Sequence, residues 1–421
     1  MGGIITFSLA APAAILLAQG YIYDFQNHKI VKTGTLIVKT DPKGTEIFLN
    51  GKKAGIAPMT IRFLLPREYT VDIRKGLYLP WKKRVLLRAG QVVSLSDGMS
   101  GKIPLFFERP DLQAVSTTTN DFYSSSSGKI LFLEKNPIWR LKEFDPQTSE
   151  MQPRIDIIAS FTSPRILEEN NNEFLIADQN NTWYVNPETQ KPILVNLASA
   201  KLTQNKAVIL GINDKYQLVD LDVRTAEQSV IQNGVKNFVL TENGDIFLLT
   251  AENSPRLLQI VANQQPKVIL DNLPAFTNSQ ILVSPTRQIF LVFDQTLFAV
   301  TEALQKINDN ASYAYWDASA QGLVYGSSHE SWLYQPLGAN SNMLLTRTAD
   351  NLGTVRNNAF TGFVFTSQGQ EIKATEFDSS GQPNFYTLAQ TKNANVRFAL
   401  DQNATHLIYL DGNNLVALKI R

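Results

Sequence analysis

The polar and apolar positions along this chain change rhythm three times. Residues 4–23 carry no charged side chain and end in Tyr21 and Tyr23, just before Asp24, His28 and Lys29. At about 1.5 Å rise per residue, a helix of that length spans the ~30 Å core of a bilayer with its tyrosines at the interface. The pattern predicts an uncleaved transmembrane helix over residues 1–23, followed by a linker over 24–33. The rivals are a helix buried in a soluble core and a cleaved signal peptide. The latter needs a basic start and a small-x-small site after the apolar run, and Leu16-Leu17-Ala18-Gln19 supplies no such site.

From residue 34 to 98 the period shortens to two. Segments 36–39, 46–49, 69–73 and 85–87 place β-branched or aromatic residues at strand spacing. Between them fall Pro42-Lys43-Gly44-Thr45, Asn50-Gly51, Gly55-Ile56-Ala57-Pro58, Leu65-Pro66 and Gly76-Leu77-Tyr78-Leu79-Pro80-Trp81. These are turn signals, and Asn50-Gly51 predicts a tight hairpin with positive φ. A small antiparallel β-sandwich follows.

After Lys102 one unit recurs: an apolar strand, a polar or Gly/Asn/Asp turn, and a second apolar strand. The eight hairpins begin at 129, 174, 207, 245, 288, 322, 362 and 406, with spacings from 33 to 45 residues. Four-stranded propeller blades repeat at about 40 to 50 residues. The chain thus reads as all-β apart from its first helix, with an eight-bladed β-propeller over residues 99–421 and seven blades as the alternative. The last unit reaches Arg421 with only three strands, and the apolar run 103–107 precedes the first unit unassigned. The economical closure pairs 103–107 with the outer edge of the last blade, so that no long edge is left open.

The order of turns between residues 34 and 98 resembles the PEGA domain. That family runs as a strand, P-x-G-A, an apolar strand ending in N/D-G, then G-x-T-P, L-x-P-G-x-Y and G-Y-x-x-W. Ala57 stands where the family has Thr, and Arg67 where it has the Gly of the L-P-G turn. The likeness covers roughly one sixth of the chain. A membrane span, a PEGA-like sandwich and a propeller together resemble bacterial membrane-anchored PEGA proteins. The resemblance implies an envelope location, with the folded domains outside the cytoplasm. Lys29 and Lys32 after the span, with no Lys or Arg before it, point the other way by the positive-inside rule, but large domains translocate largely regardless of charge.

Composition sharpens this picture. With 421 residues, 43% of them apolar, the chain can bury a large core, consistent with two folded units. The absence of cysteine excludes disulfides, thiolate zinc sites, a cysteine nucleophile and a lipoprotein anchor. Residues 24–111 hold 16 Lys/Arg against 8 Asp/Glu, whereas residues 112–421 hold 23 against 30. A basic unit near a bilayer is drawn to anionic lipid or acidic polymer, although surplus lysine also serves as a solvated face.

Candidate chemistry is sparse. There is no P-loop, dinucleotide fingerprint, G-x-S-x-G elbow or H-E-x-x-H. His28, His329 and His406 form no cluster in sequence, and Asp220 and Asp222 share one strand face, either as a cation site or as strand-end polar residues. No catalytic, cofactor-binding or metal-binding residue is assigned, and no cofactor is expected. Trp139, Trp183, Trp316 and Trp332 are expected to wedge between sheets. Trp81, Lys82, Lys83 and Arg84 are the candidate envelope contact, an aromatic beside three cations that could meet lipid headgroups or sugar rings. The PEGA pattern instead makes the aromatic at Trp81 a packing residue. The basic runs lack a nucleic-acid-binding fold, so no nucleic-acid partner is expected. The expected function is a non-enzymatic, membrane-anchored envelope protein whose PEGA-like unit contacts membrane-proximal polymer and whose propeller binds a protein or glycan. The alternative is an envelope glycan or peptide hydrolase with carboxylates in the propeller funnel.

Overall fold

The computed structural model describes residues 2–421 except 97, 126, 189–190, 263, 337–341 and 378–382, with side chains described from residue 10 onward. A helix, Gly2–Ala18, opens the chain. Among the described residues no helix is long and apolar enough to cross a membrane. The expected span is therefore shortened: Gly20 takes φ +83°, which ends the helix, and Tyr21–Asp24 pairs antiparallel with Lys29–Lys32. Tyr-Ile-Tyr and Ile-Val favour a pleated strand, so the tyrosines sit on a hairpin rather than a helix end. Residues 24–33 are likewise no linker. They form the turn and return strand of that hairpin, with the Asp24 carboxylate accepting the Gln26 and Asn27 N–H groups at 3.0 and 3.3 Å.

The second unit is a sandwich of two sheets. In one, Gly34–Val38 lies between Met59–Leu64 and a parallel strand, Val92–Ser94. The other runs in the order Lys52–Ile56, Glu46–Leu49, Glu68–Arg74, Trp81–Leu86. Alternate residues point inward, so Leu36, Val38, Ile47, Tyr69, Val71, Ile73 and Trp81 share one core. Asn50 and Gly51 both take positive φ, 49° and 80°, as a two-residue hairpin turn matched to strand twist requires.

The remainder is propeller-like. Among the described residues eight four-stranded antiparallel sheets follow one another, seven of them meanders over residues 122–157, 165–195, 198–232, 235–270, 279–308, 313–347 and 352–390. The eighth combines Phe398–Leu400, His406–Asp411 and Asn414–Lys419 with Asp111–Ser116. Second strands such as Glu173–Asp178, Ile289–Phe293 and Phe363–Gln368 are buried at every position. That is why they carry apolar runs, unbroken in Ile289–Phe293: a neighbouring sheet covers each face. Each consecutive pair of sheets shares one apolar cluster. The eighth sheet shares another with the first, through Ala399, Ile408 and Ala417 against Phe122, Phe132 and Phe144, so the packing returns to its start. As expected, Trp139 and Trp183 pack between the first and second sheets, and Trp316 and Trp332 between the fifth and sixth.

The closing strand differs from the expected one. Asp111–Ser116 pairs antiparallel with Asn414–Lys419, whereas Ile103–Pro104 pairs in parallel with Thr40–Asp41 of the sandwich. Burial explains the choice. Outer-edge positions 111–114 are exposed and suit Asp, Leu, Gln and Ala, whereas Phe106 is fully buried and would face solvent there. Residues 103–107 instead bridge the two units: Leu105 enters the sandwich core, and Phe106 enters the cluster between the seventh and eighth sheets.

Candidate functional site

Two features beyond simple packing emerge. The first is the junction between the sandwich and the seventh and eighth sheets. Trp81–Leu86 is an edge strand, with Trp81, Lys83 and Val85 facing inward and Lys82 and Arg84 outward. Its rim is covered by Glu376, a buried carboxylate that accepts hydrogen bonds from Trp81 Nε1 at 3.0 Å and Lys83 Nζ at 3.4 Å. The same carboxylate accepts from the Asn384 backbone N–H at 3.2 Å and its Nδ2 at 2.7 Å. The Lys82 N–H donates to Asn384 Oδ1, and the Tyr386 hydroxyl to the Pro80 carbonyl, at 3.3 and 3.2 Å. Polar coverage of this kind satisfies an otherwise open strand edge.

Three further contacts lock the joint. Phe106 packs edge-on against Phe363 and Phe365. Arg421 donates to Asp41 at 3.1 Å. The N–H groups of Met99 and Ser100 donate to the carbonyls of Ala359 and Phe360 at 2.8 and 3.1 Å. Gly98 is required by this approach, because a Cβ there would lie 2.6 Å from the Thr361 carbonyl carbon.

Of the expected envelope contact, Trp81 and Lys83 are thus corrected: both are buried in the junction. Only Lys82 and Arg84 remain exposed. Sequence reasoning missed Glu376, whose partners Trp81 and Lys83 lie nearly three hundred residues away.

The second feature is a cleft of about 950 Å³ between the third and fourth sheets. Its lining includes the apolar Val208, Leu210, Ile231, Leu240, Ile246 and Ile260. It also carries Glu168 and Glu169 from the second sheet, Asp220, Glu242 and Asp245, and among the described residues no Lys, Arg or His lines it. Glu168 and Asp220 are both held above the usual carboxylate range by burial, which the distant Lys201 and the Leu202 N–H only partly offset at Glu168. Asp245 is paired with Arg287 at 3.0 Å. The turns lining the cleft join first to second or third to fourth strands, as do the turns used by the junction. In a repeated meander these turns share one face, so the cleft and the sandwich lie on the same side, four sheets apart in the cyclic order.

The two aspartates paired in sequence part company. Asp220 lines the cleft, whereas Asp222 is held at a pKa of about 2 by Arg224, whose side chain and backbone N–H both donate to it. His28 contacts Tyr23, His329 contacts the Asp350 carbonyl and His406 contacts Thr405, so the three stay apart. Among the described residues no group of three or more His, Asp or Glu is placed to hold a metal ion.

Residues 33–99 match the family model of the PEGA domain. No curated protein matches the chain. Among solved structures, a eukaryotic initiation factor is similar at a TM-score of 0.50 and 10% identity, over 74% of this chain and 92% of that one. The computationally designed Ika8 protein gives 0.49 and 9% over 73% and 98%. The C-terminal WD40 domain of Sif2 gives 0.46 and 12% over 74% and 98%. At 10% identity the likeness to the initiation factor bears on the fold alone, and that fold is propeller-like.

Proposed function

We propose that this protein is a non-enzymatic scaffold of the bacterial cell envelope, held at a membrane by its N-terminal segment and displaying a closed eight-bladed propeller outside the cytoplasm. The observation that carries the reading is the junction: buried Glu376, Trp81 and Lys83 join the PEGA-like unit to the propeller rim, so both can act as one presenting body. Support for the membrane comes from the apolar helix Gly2–Ala18, whose residues Ile15 and Leu17 are more than half exposed, and from exposed Tyr23, Phe25 and Ile30 on the adjoining hairpin. Apolar surface of this extent calls for a cover, and Lys29 and Lys32 beside it suit anionic headgroups. Lys82 and Arg84, exposed on the outer face of the sandwich, are the remaining candidates for polymer contact.

Flotation of the full chain with anionic vesicles tests the anchor. The intact chain is expected at the top of the gradient and a variant lacking residues 2–18 at the bottom; equal partition of the two would overturn the anchor. Protease added to intact spheroplasts should digest the folded units, and protection would overturn the orientation. A second reading, an envelope glycan or peptide hydrolase, draws on the carboxylates lining the cleft. Turnover of such a polymer that is abolished by Asp220→Asn would favour it.

A further inference from the structure

We propose that the cleft between the third and fourth sheets is a binding site for an aliphatic cation, an ammonium or guanidinium borne on an apolar stem. The inference deepens the scaffold reading by naming what the propeller face would hold. A volume of about 950 Å³ is at the upper end of the range of small-ligand sites, about 300 to 1,000 Å³. The make-up of the lining selects the chemistry: aliphatic side chains and carboxylates share the cleft, which suits an apolar stem against the former with its charged head at the latter.

The charges in the cleft are not already neutralised from within the chain. Arg287 pairs with Asp245, and Lys201 approaches Glu168 at 3.9 Å. Glu169, Asp220 and Glu242 have no ion-pair partner among the described residues. Asp220 is the most telling of them. It sits mid-strand between buried Val219 and Leu221, and its carboxylate has no hydrogen-bond partner among the described residues either. The side chain is half-buried, and an incoming cation would supply a partner that the described residues do not. Anionic ligands are disfavoured by the same carboxylates, and a purely apolar ligand would leave Asp220 desolvated and unpaired.

Two sources share this chemistry: a free polyamine, and a lysine or arginine of a polypeptide. Calorimetric titration of the full chain in mild detergent separates them, using spermidine, a short peptide alternating lysine and leucine, and the same peptide with its lysines acetylated. At least one cationic probe is expected to bind, with the acetylated peptide about tenfold weaker or worse. Asp220→Asn and, separately, Glu169→Gln should each weaken the cationic probe about fivefold or more. Binding of spermidine alone assigns a small-molecule site, and binding of the peptide alone assigns a polypeptide site. The proposal is overturned if neither probe binds, if acetylation leaves binding unchanged, or if both variants bind as wild type while retaining its melting temperature. A chain that floats with vesicles yet binds no probe overturns this inference and leaves the scaffold reading standing.

Discussion

Replacing Glu376 by alanine tests the junction most directly. The carboxylate is 6% exposed and Lys83 is 7% exposed, and four donor groups from Trp81, Lys83 and Asn384 converge on it at 2.7 to 3.4 Å. Removing one partner of a buried ion pair costs about 3 to 5 kcal/mol, because the other charge is left desolvated. Lys83 makes a further contact, which places the expected loss at the lower end, about 3 kcal/mol. Glu376→Gln keeps an acceptor for the Trp81 indole and should lose less, about 2 kcal/mol. Denaturant titration of the full chain measures both losses, and limited proteolysis locates them: cleavage should rise first within residues 24–111, because the sandwich loses its cover. A double-mutant cycle with Trp81→Phe isolates the shared hydrogen bond, with an expected coupling of about 1 to 2 kcal/mol. A loss below about 0.5 kcal/mol for Glu376→Ala, or strict additivity with Trp81→Phe, would show that the joint is held by apolar packing alone.

Other outcomes follow from the same structure. Deleting residues 111–116 should lower the melting temperature far more than substituting Phe107 by serine, because the first change opens the edge of Asn414–Lys419 and removes Val115 from the cluster joining the eighth sheet to the first; equal shifts in a calorimetric scan would count against this closure. Gly98→Ala should cost about 1 to 3 kcal/mol, read by denaturant titration, since its Cβ would meet rigid backbone at Thr361 and Phe360 rather than a movable side chain. Burial pushes the Asp401 carboxyl up, but hydrogen bonds from His406 and Thr405 outweigh that and hold it below the usual aspartate range. Its contribution is therefore present above the unfolded pKa and lost as pH falls through the folded value, so Asp401→Asn should destabilise at neutral pH and flatten the acid limb of the stability curve. An acid limb identical to that of wild type would refute this.

Turn chemistry and repeat spacing were legible because they are local. Asn50-Gly51 demands positive φ whatever surrounds it, and an unbroken apolar run such as Ile289–Phe293 can only be buried on both faces. The three strands counted in the last unit likewise led to the expectation of a donor strand near the start of the repeats, and the eighth sheet takes one, Asp111–Ser116. Which strand it was depended on the two faces of each residue: 103–107 and 111–116 are both plausible strands, and only the presence of two cores for Leu105 and Phe106 separates them. The helix end at Ala18 was hidden for a related reason, since residues 4–23 are uniformly uncharged and hydropathy cannot distinguish a helical tyrosine from one in a hairpin paired to Lys29–Lys32.

The sequence by itself determined what depends on neighbours a few residues apart: the strands, their turns, the repeat, the PEGA-like order of residues 34–98, and the opposed charge of the two halves. Tertiary structure decided what depends on distant partners. Trp81-Lys82-Lys83-Arg84 reads as an exposed basic patch, yet alternation turns Trp81 and Lys83 inward, and a carboxylate from the seventh sheet meets them there. Asp220 and Asp222 look equivalent two residues apart; Asp222 is paired by its near neighbour Arg224, whereas Asp220 faces a cleft whose other carboxylates come from the second and fourth sheets. For Trp81, Lys83 and Asp220 the fate of the group is set by what folding brings opposite it from distant segments, through desolvation and pairing, whereas the Asp222–Arg224 pair is local.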